Sequence, residues 1–280
     1  MSDTGRNAGH TARERARAEL TREIKEEARR QLAEVGAHGL SLRAVARELG
    51  MVSSALYRYY PSRDDLLTAL IIDAYNAAGS AAEDAIAAAP AADARARWAA
   101  ACQAIRAWAL AHPHEYALIY GSPVPGYRAP EATIGPAARI PLAFARVLRE
   151  SKPAARDLGA PSRIPPAGTA QAGTAQAGTA LAGTALAGTG LPADSPLASQ
   201  AAALSAALSE SGSPDIPPAT LVRAVIAWTQ LFGMISFELF GQFVGSFEPA
   251  DALFTHAVAQ LMDVVGLPGS TSVTANGARP

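Results

Sequence analysis

Apolar residues recur along this chain at the three-and-four spacing of helices. Leu20, Ile24, Ala28 and Leu32 make one stripe within 11–35, and Gly36 ends that helix. Leu42, Val45, Ala46 and Leu49 make the next face. Ser41 stands before it as an N-cap, and Gly50 after it suits a left-handed turn. A short helix over 53–59 comes next, with Leu56 and Tyr60 on its inner side. Pro61 stops it, and Ser62 with Asp65 forms a near capping box for a long helix to about residue 89. Leu66, Leu67, Leu70, Ile71, Ala74 and Tyr75 give that helix a broad apolar face, and it connects the N-terminal part to the rest of the chain.

Further helices are predicted over 93–111, 114–120, 132–150, 197–208, 218–243 and 249–265. Pro136 and Pro141 blur the start of the third of these; Gly266 and Pro268 end the last. The fold class is all-α. Residues 1–10 read as a disordered polar tail, and so does 267–280. The unit Ala-Gly-Thr-Ala-Gln occurs twice from Ala167, then Ala-Gly-Thr-Ala-Leu twice. A five-residue period matches neither helix nor strand, and a Gly in each unit opposes helix. With its flanking prolines, 153–196 reads as a disordered insertion.

Composition narrows the class. Hydrophobic residues are 49% of the 280 and charged residues 18%, which fits a globular protein. The net charge of −1 excludes a polyelectrolyte binder. Residues 1–70 carry 12 Lys+Arg against 10 Asp+Glu, an excess of +2, and the remainder carries −3. Affinity for a polyanion would therefore rest on a few placed basic groups. Cys102 is the single cysteine, so no internal disulfide forms, and a buried, inert thiol is expected. No signal peptide is apparent, and the most apolar run, 224–244, contains Gln230, Glu238 and Gln242. A soluble cytoplasmic protein with no membrane partner is expected.

The outer face of the short helix carries the first chemistry. At 100° per residue, Ser54 and Arg58 point away from Leu56, with Tyr57 beside them. A solvated face usually carries Glu, Lys or Gln. This one carries groups that donate to phosphates or base edges. A plain helical hairpin in a bundle would have the same apolar spacing. Two helices joined by a short Gly-containing turn are also the arrangement that sets the second helix in a DNA major groove. On that geometry Arg58 reads a base edge, while Arg43, Tyr57, Tyr59 and Arg63 hold the backbone. Arg13, Arg15, Arg17 and Arg22 on the first helix read as solvated or phosphate-directed.

Residues 11–78 resemble the N-terminal domain of the TetR/AcrR family of bacterial repressors. The resemblance rests on Leu42-Arg43-Ala44-Val45-Ala46-Arg47-Glu48-Leu49-Gly50, then on Ala55-Leu56-Tyr57-Arg58-Tyr59-Tyr60-Pro61-Ser62-Arg63-Asp64-Asp65-Leu66-Leu67. One departure is Val52, where the family has the Ser that caps the recognition helix; Ser53 comes next, and the cap is expected one residue later. The DNA-facing set on this reading is Ser41, Arg43, Ser53, Ser54, Tyr57, Arg58, Tyr59 and Arg63. The resemblance implies a three-helix DNA-binding domain, 11–61, and a helical effector-binding and dimerisation domain, 62–266.

The helix from Leu221 through Phe243 gathers Arg223, Gln230, Glu238 and Gln242 in one stripe about 120° wide and is otherwise almost wholly apolar. It therefore wants burial on two sides, its own core and a second subunit. The region resembles a C-terminal domain of such repressors named for a Trp-His-Gly feature. Trp228 and Gly233 fit it, and Phe232 stands at the His position. The resemblance implies a four-helix homodimer interface from the last two long helices, for which Val225, Phe237, Phe240, Phe254, Val258 and Leu261 are the candidates. It also implies an effector pocket, with Trp98, Trp108, Tyr116, Tyr120, Trp228 and Phe232 as candidate lining. Each of these aromatics also suits a plain core position. An apolar lining suits a mostly hydrophobic small-molecule effector.

His112 and His114, with no nearby Cys or carboxylate pair, make no metal site, and no cofactor is expected. Nucleophile elbow, phosphate loop, His-Glu-x-x-His and dinucleotide fingerprints are all absent from the sequence, so no catalytic residue is assigned. The leading function is a dimeric, effector-released repressor on a near-palindromic operator in double-stranded DNA. A helix-turn-helix used for protein contacts, or a helical pocket enzyme without DNA binding, are the competing classes. The insertion should be dispensable. Deleting 167–190 is expected to leave melting temperature and operator affinity nearly unchanged, because loop closure depends weakly on length. A large drop in either would show that the segment is packed.

Overall fold

The computed structural model describes residues 4–151, 195–210 and 216–269. Almost all of the repeat insertion, and the tail from 270, lie outside the described residues. Ten α-helices carry the described chain: α1 (Thr4–Gly39), α2 (Leu42–Glu48), α3 (Ser53–Leu56), α4 (Arg63–Ala88), α5 (Ala94–Ala111), α6 (Pro113–Tyr120), α7 (Ile134–Ser151), α8 (Pro196–Glu210), α9 (Pro218–Leu239) and α10 (Asp251–Val264). A 3₁₀ turn, Glu131–Thr133, leads into α7. No strand occurs among the described residues.

Several boundaries differ from expectation. Helix α1 begins at Thr4, so residues 4–10 are helical rather than a disordered tail. It breaks at Gly36 (φ 68°, ψ 175°) as expected, but helical turns resume to Gly39. Helix α3 is four residues long and ends at Leu56; 57–59 continue as turns, with Tyr57 N donating to Ser53 O and Tyr60 N to Leu56 O. Helix α9 stops at Leu239, short of Phe243. Gly241 turns left-handed (φ 76°), with its N–H on Glu238 O and that of Gln242 on Phe237 O. Those paired bonds close the last carbonyls and end the helix.

The chain divides into two compact units: 1–81 with 104–140, and 82–103 with 141–280. This replaces the expected boundary at residue 61. The reason is burial. Leu66, Leu67, Leu70 and Ile71 of α4 share one core with Ile24, Ala28, Leu32, Val45, Ala46, Leu56 and Tyr60. The first three helices therefore lack a core of their own.

Within the first unit, ends are well closed. The Ser41 hydroxyl accepts from Ala44 N, capping α2. At the far end, Gly50 N donates to Arg47 O and Met51 N to Ala46 O, and Gly50 sits at φ 64°. The expected capping box forms with Asp65 in the Glu role: Ser62 N donates to Asp65 Oδ2 (2.9 Å), and Asp65 N to Ser62 Oγ (3.1 Å). Arg29 of α1 bridges Asp73 of α4 (2.7 Å) and Glu115 of α6 (2.9 Å), and Lys25 shares Asp73 (2.7 Å).

In the second unit, α9 packs against α8 and α10. Helix α9 is long and apolar enough to cross a membrane by length and composition. One face of it is buried in the unit's core, with Leu221, Ala227, Leu231, Phe232 and Ile235.

The turn at Gly50 yields a direct test. A Cβ added there meets no atom within 4 Å, so the cost is conformational alone. Gly50→Ala is expected to destabilise the fold by about 1–2 kcal/mol, because L-residues disfavour the left-handed region. The denaturant midpoint should fall with the slope unchanged. An unchanged midpoint would show that the turn adopts another conformation.

Candidate nucleic-acid interface and effector cavity

The surface made by α2, α3 and the turns after it is rich in donors. Ser53, Ser54, Tyr57 and Arg58 are exposed, as is Arg43 on α2. Among the described residues neither Arg43 nor Arg58 has an ion-pair or hydrogen-bond partner, so both guanidinium groups face solvent with five donors each. Leu56, 0% exposed, anchors the element from behind. The expected cap at Ser53 is not there. Val52 takes the N-cap position in an extended conformation, with no side-chain hydrogen bond, and Ser53 is the first helical residue. A valine has no acceptor to offer, so both serine hydroxyls stay on the surface.

Three members of the expected set are engaged with the protein itself. Ser41 is half-buried and caps α2. Tyr59 is half-buried against the core, with the Arg17 guanidinium 5.6 Å from its ring centroid. Arg63 is half-buried; its Nη2 donates to Ala37 O (2.6 Å) and its Nη1 to Asp64 (3.4 Å). It thereby ties the first turn of α4 to the end of α1. Arg22 pairs with Glu19 and Glu26 on its own helix.

Sequence reasoning missed one support. Gln31, 7% exposed, accepts from Ser41 N through Oε1 (3.2 Å) and donates to Glu27 Oε1 (3.4 Å). Glu27, 3% exposed, also pairs with Arg30. Gln31 thus fixes where α2 begins. The signal was two polar residues four apart beside the apolar stripe of α1, which a stripe-only reading passes over. Val52, the departure noted in the sequence, is 71% exposed at the front of α3, an apolar group beside donors.

The second unit contains a cavity of about 400 Å³. Trp98 and Cys102 of α5, Phe144, Ala145 and Leu148 of α7, and Leu208 of α8 form part of its wall. Leu221, Ala224, Trp228 and Leu231 of α9 and Leu261 of α10 form another part, with Pro141 and Val225, both exposed, also lining it. Trp98 packs on Phe144 with centroids 4.3 Å apart. Burial pushes the Cys102 thiol up from its ordinary pKa, so it stays neutral and unreactive.

Of the six aromatic candidates, Trp98 and Trp228 line this cavity. Phe232 is buried behind Trp228, at 4.5 Å between centroids, and is not part of the lining. Trp108, Tyr116 and Tyr120 belong to the first unit; Trp108 and Tyr116 are buried there, and the half-buried Tyr120 lies 5.2 Å from Tyr116 between ring centroids. Burial raises the Tyr120 hydroxyl pKa. The candidate interface residues also divide. Val225, Phe237 and Phe240 are about half exposed, whereas Phe254, Val258 and Leu261 are at most 3% exposed. Those three point into the unit's own core, so they cannot meet a partner without repacking.

Among the described residues no group of three or more His, Cys, Asp or Glu could hold a metal ion. Comparison with known proteins agrees with the geometry at the N-terminal end. Residues 24–70 match the model of bacterial regulatory proteins of the tetR family, and residues 98–261 match that of a tetracyclin repressor-like C-terminal domain. HTH-type transcriptional regulators Mb1846 of Mycobacterium bovis and Rv1816 of Mycobacterium tuberculosis are each 49% identical over 134 residues, covering 46% of this chain. The chain spans about half the length, 56%, of these curated relatives. The solved structure of SCO4313 is 31% identical, covers 89% of this chain and 98% of its own, and superposes with a TM-score of 0.62. A Rhodococcus sp. RHA1 structure, 24% identical with a TM-score of 0.57 over 88% of this chain and 95% of its own, shares the fold. The family model alone spans more than half of the residues, and the chain belongs to the TetR family of bacterial regulatory proteins, with the family's helix-turn-helix domain at its N-terminus.

Proposed function

We propose that this chain is a dimeric transcriptional repressor, released from a near-palindromic operator by a small, mostly hydrophobic effector. The observation that carries the reading is the unpaired donor face of Ser53, Ser54, Tyr57 and Arg58, held out by a buried Leu56. Such groups position on phosphates and read base edges. The relatives named above are transcriptional regulators, and the family is one of regulators rather than enzymes. The protein would work in the cytoplasm, where the bacterial chromosome lies.

Arg58 is assigned a base edge, guanine by its bidentate geometry, with Arg43 and Tyr57 on the backbone. Two heads on one face of a duplex would span half-sites roughly 34–36 Å apart. The outer face of α9 supports pairing of two copies. Val225, Phe237 and Phe240 are uncovered there, and Val244 and Phe247 lie beyond its end. Soluble proteins rarely leave so much apolar surface to water, and a two-fold axis would cover both copies at once. An effector in the apolar cavity would favour a dimer whose heads no longer match the operator. By linkage, operator DNA must weaken effector binding by the same factor.

Two variants test separate parts of this. Arg58→Ala should cost about 1–3 kcal/mol of operator binding and relax preference at one base position. Selection of bound fragments from a random pool reads this out, and an unchanged base preference would remove Arg58 from the assignment. Phe240→Glu should abolish dimers and operator binding together while leaving the helical content intact. Sedimentation and gel shift on that variant decide it, and a monomeric variant that binds operator as tightly as wild type would sink the dimer.

A further inference from the structure

The front of α3 carries a valine that folding does not explain. Val52 holds the N-cap position with extended backbone (φ −69°, ψ 135°), and its side chain caps nothing. Serine or aspartate there would accept from an orphan N–H, and valine ranks among the poorest caps. The cost falls on a helix of four residues, Ser53–Leu56, too short to stabilise itself. Packing does not offset it. Met51 beside it lies against the core of the first unit, whereas Val52 is 71% exposed. Between 41 and 60 the exposed large apolar side chains are Val52 and Tyr57, and only Tyr57 has a hydroxyl to offer a polar partner. A residue that weakens its own helix and leaves its methyls in water marks a place where the sequence serves contact rather than folding.

Its place decides what it meets. A recognition helix enters the major groove with its N-terminal residues toward the base edges. Val52 stands at that end of α3, directly before the exposed Ser53 and Ser54. Base edges in that groove present N–H donors, nitrogen and oxygen acceptors, and one apolar group, the 5-methyl of thymine. The valine side chain can neither donate nor accept. Opposite an amino group or a ring nitrogen it would displace water and return nothing. Only the methyl gains from it. We propose that Val52 is a specificity-determining residue, packing on the 5-methyl of a thymine in each operator half-site. This rests on α3 reading bases, as in the function proposed above, and adds a requirement that no hydrogen bond of Arg58 supplies.

The full chain and a duplex it selects from a random pool test this. Each thymine of that duplex is replaced in turn by deoxyuridine, which lacks only the methyl, and affinity is read by gel shift at fixed salt. At one position per half-site the replacement should weaken binding about fourfold, the worth of one buried methyl. With Val52→Ser the same replacement should have no effect, and a second selection should show relaxed preference at that position. Wild type should bind 5-methylcytosine there more tightly than cytosine, because the methyl occupies the same place in the groove, and the variant should bind the two equally. Serine restores a cap, so the variant's denaturant midpoint should hold or rise, which separates lost contact from lost structure. Deoxyuridine tolerated by wild type at every position would overturn the proposal and leave the operator reading standing. So would a Val52→Ser variant that keeps wild-type sensitivity to the replacement, or one weakened on all duplexes alike. A wild type that selects no sequence would refute base reading by α3, and the part of Val52 with it.

Discussion

A helix of four residues cannot hold itself. Nucleating one turn costs more than its first hydrogen bonds return. Helix α3 exists because Leu56 and Tyr60 are buried against the core that α1, α2 and α4 build. The exposed donors of the candidate interface are therefore positioned by burial on the opposite side of the same element. Everything that shapes that core, including the start of α2 fixed by Gln31 and the turn at Gly50, acts on where Arg58 points. Recognition in such a head is a property of packing first and of the surface residues second.

The helical framework was legible because burial repeats with the helical period. The stripe of Leu20, Ile24, Ala28 and Leu32, the Ser41 cap, the Gly50 turn and the Ser62–Asp65 box all stand where the residue types put them. Termini were less legible. The end of α9 was set by Gly241, a residue that an apolar run reaching Phe243 concealed. The end of α3 was set by its tertiary neighbours, since nothing in Tyr57-Arg58-Tyr59 forbids another helical turn. Division into units was not legible either. Helix α4 reads as a connector by its length, and only three-dimensional contact shows its first apolar turns inside the head.

Side-chain assignments split along the same line. Exposure at Ser54, Tyr57 and Arg58 followed from their position opposite a buried leucine. Arg63 carried no such partner in sequence, and its bond to the Ala37 carbonyl links residues far apart in the chain. Aromatic residues were the hardest case. Trp98 and Trp108 sit on one helix, ten positions apart by their numbers, yet one lines a cavity and the other fills a core in a different unit. No local pattern separates the two, because helical period places an apolar ring inward without saying whether the inside is full. The same limit explains Phe254, Val258 and Leu261, whose side chains are buried within their own compact unit.

The Arg29 fork has a consequence for any experiment with salt. Its contacts to Asp73 and Glu115, and that of Lys25 to Asp73, join three helices of the head and lie partly sheltered from water. Mobile ions screen sheltered pairs much less than exposed ones. Phosphate contacts behave oppositely, because each one formed sets a condensed cation free from the duplex. The frame and the contact surface thus respond to ionic strength on different scales. Added salt will strip such a head from a duplex long before it loosens the joint between its helices, so the steepness of that loss counts phosphates rather than unfolding.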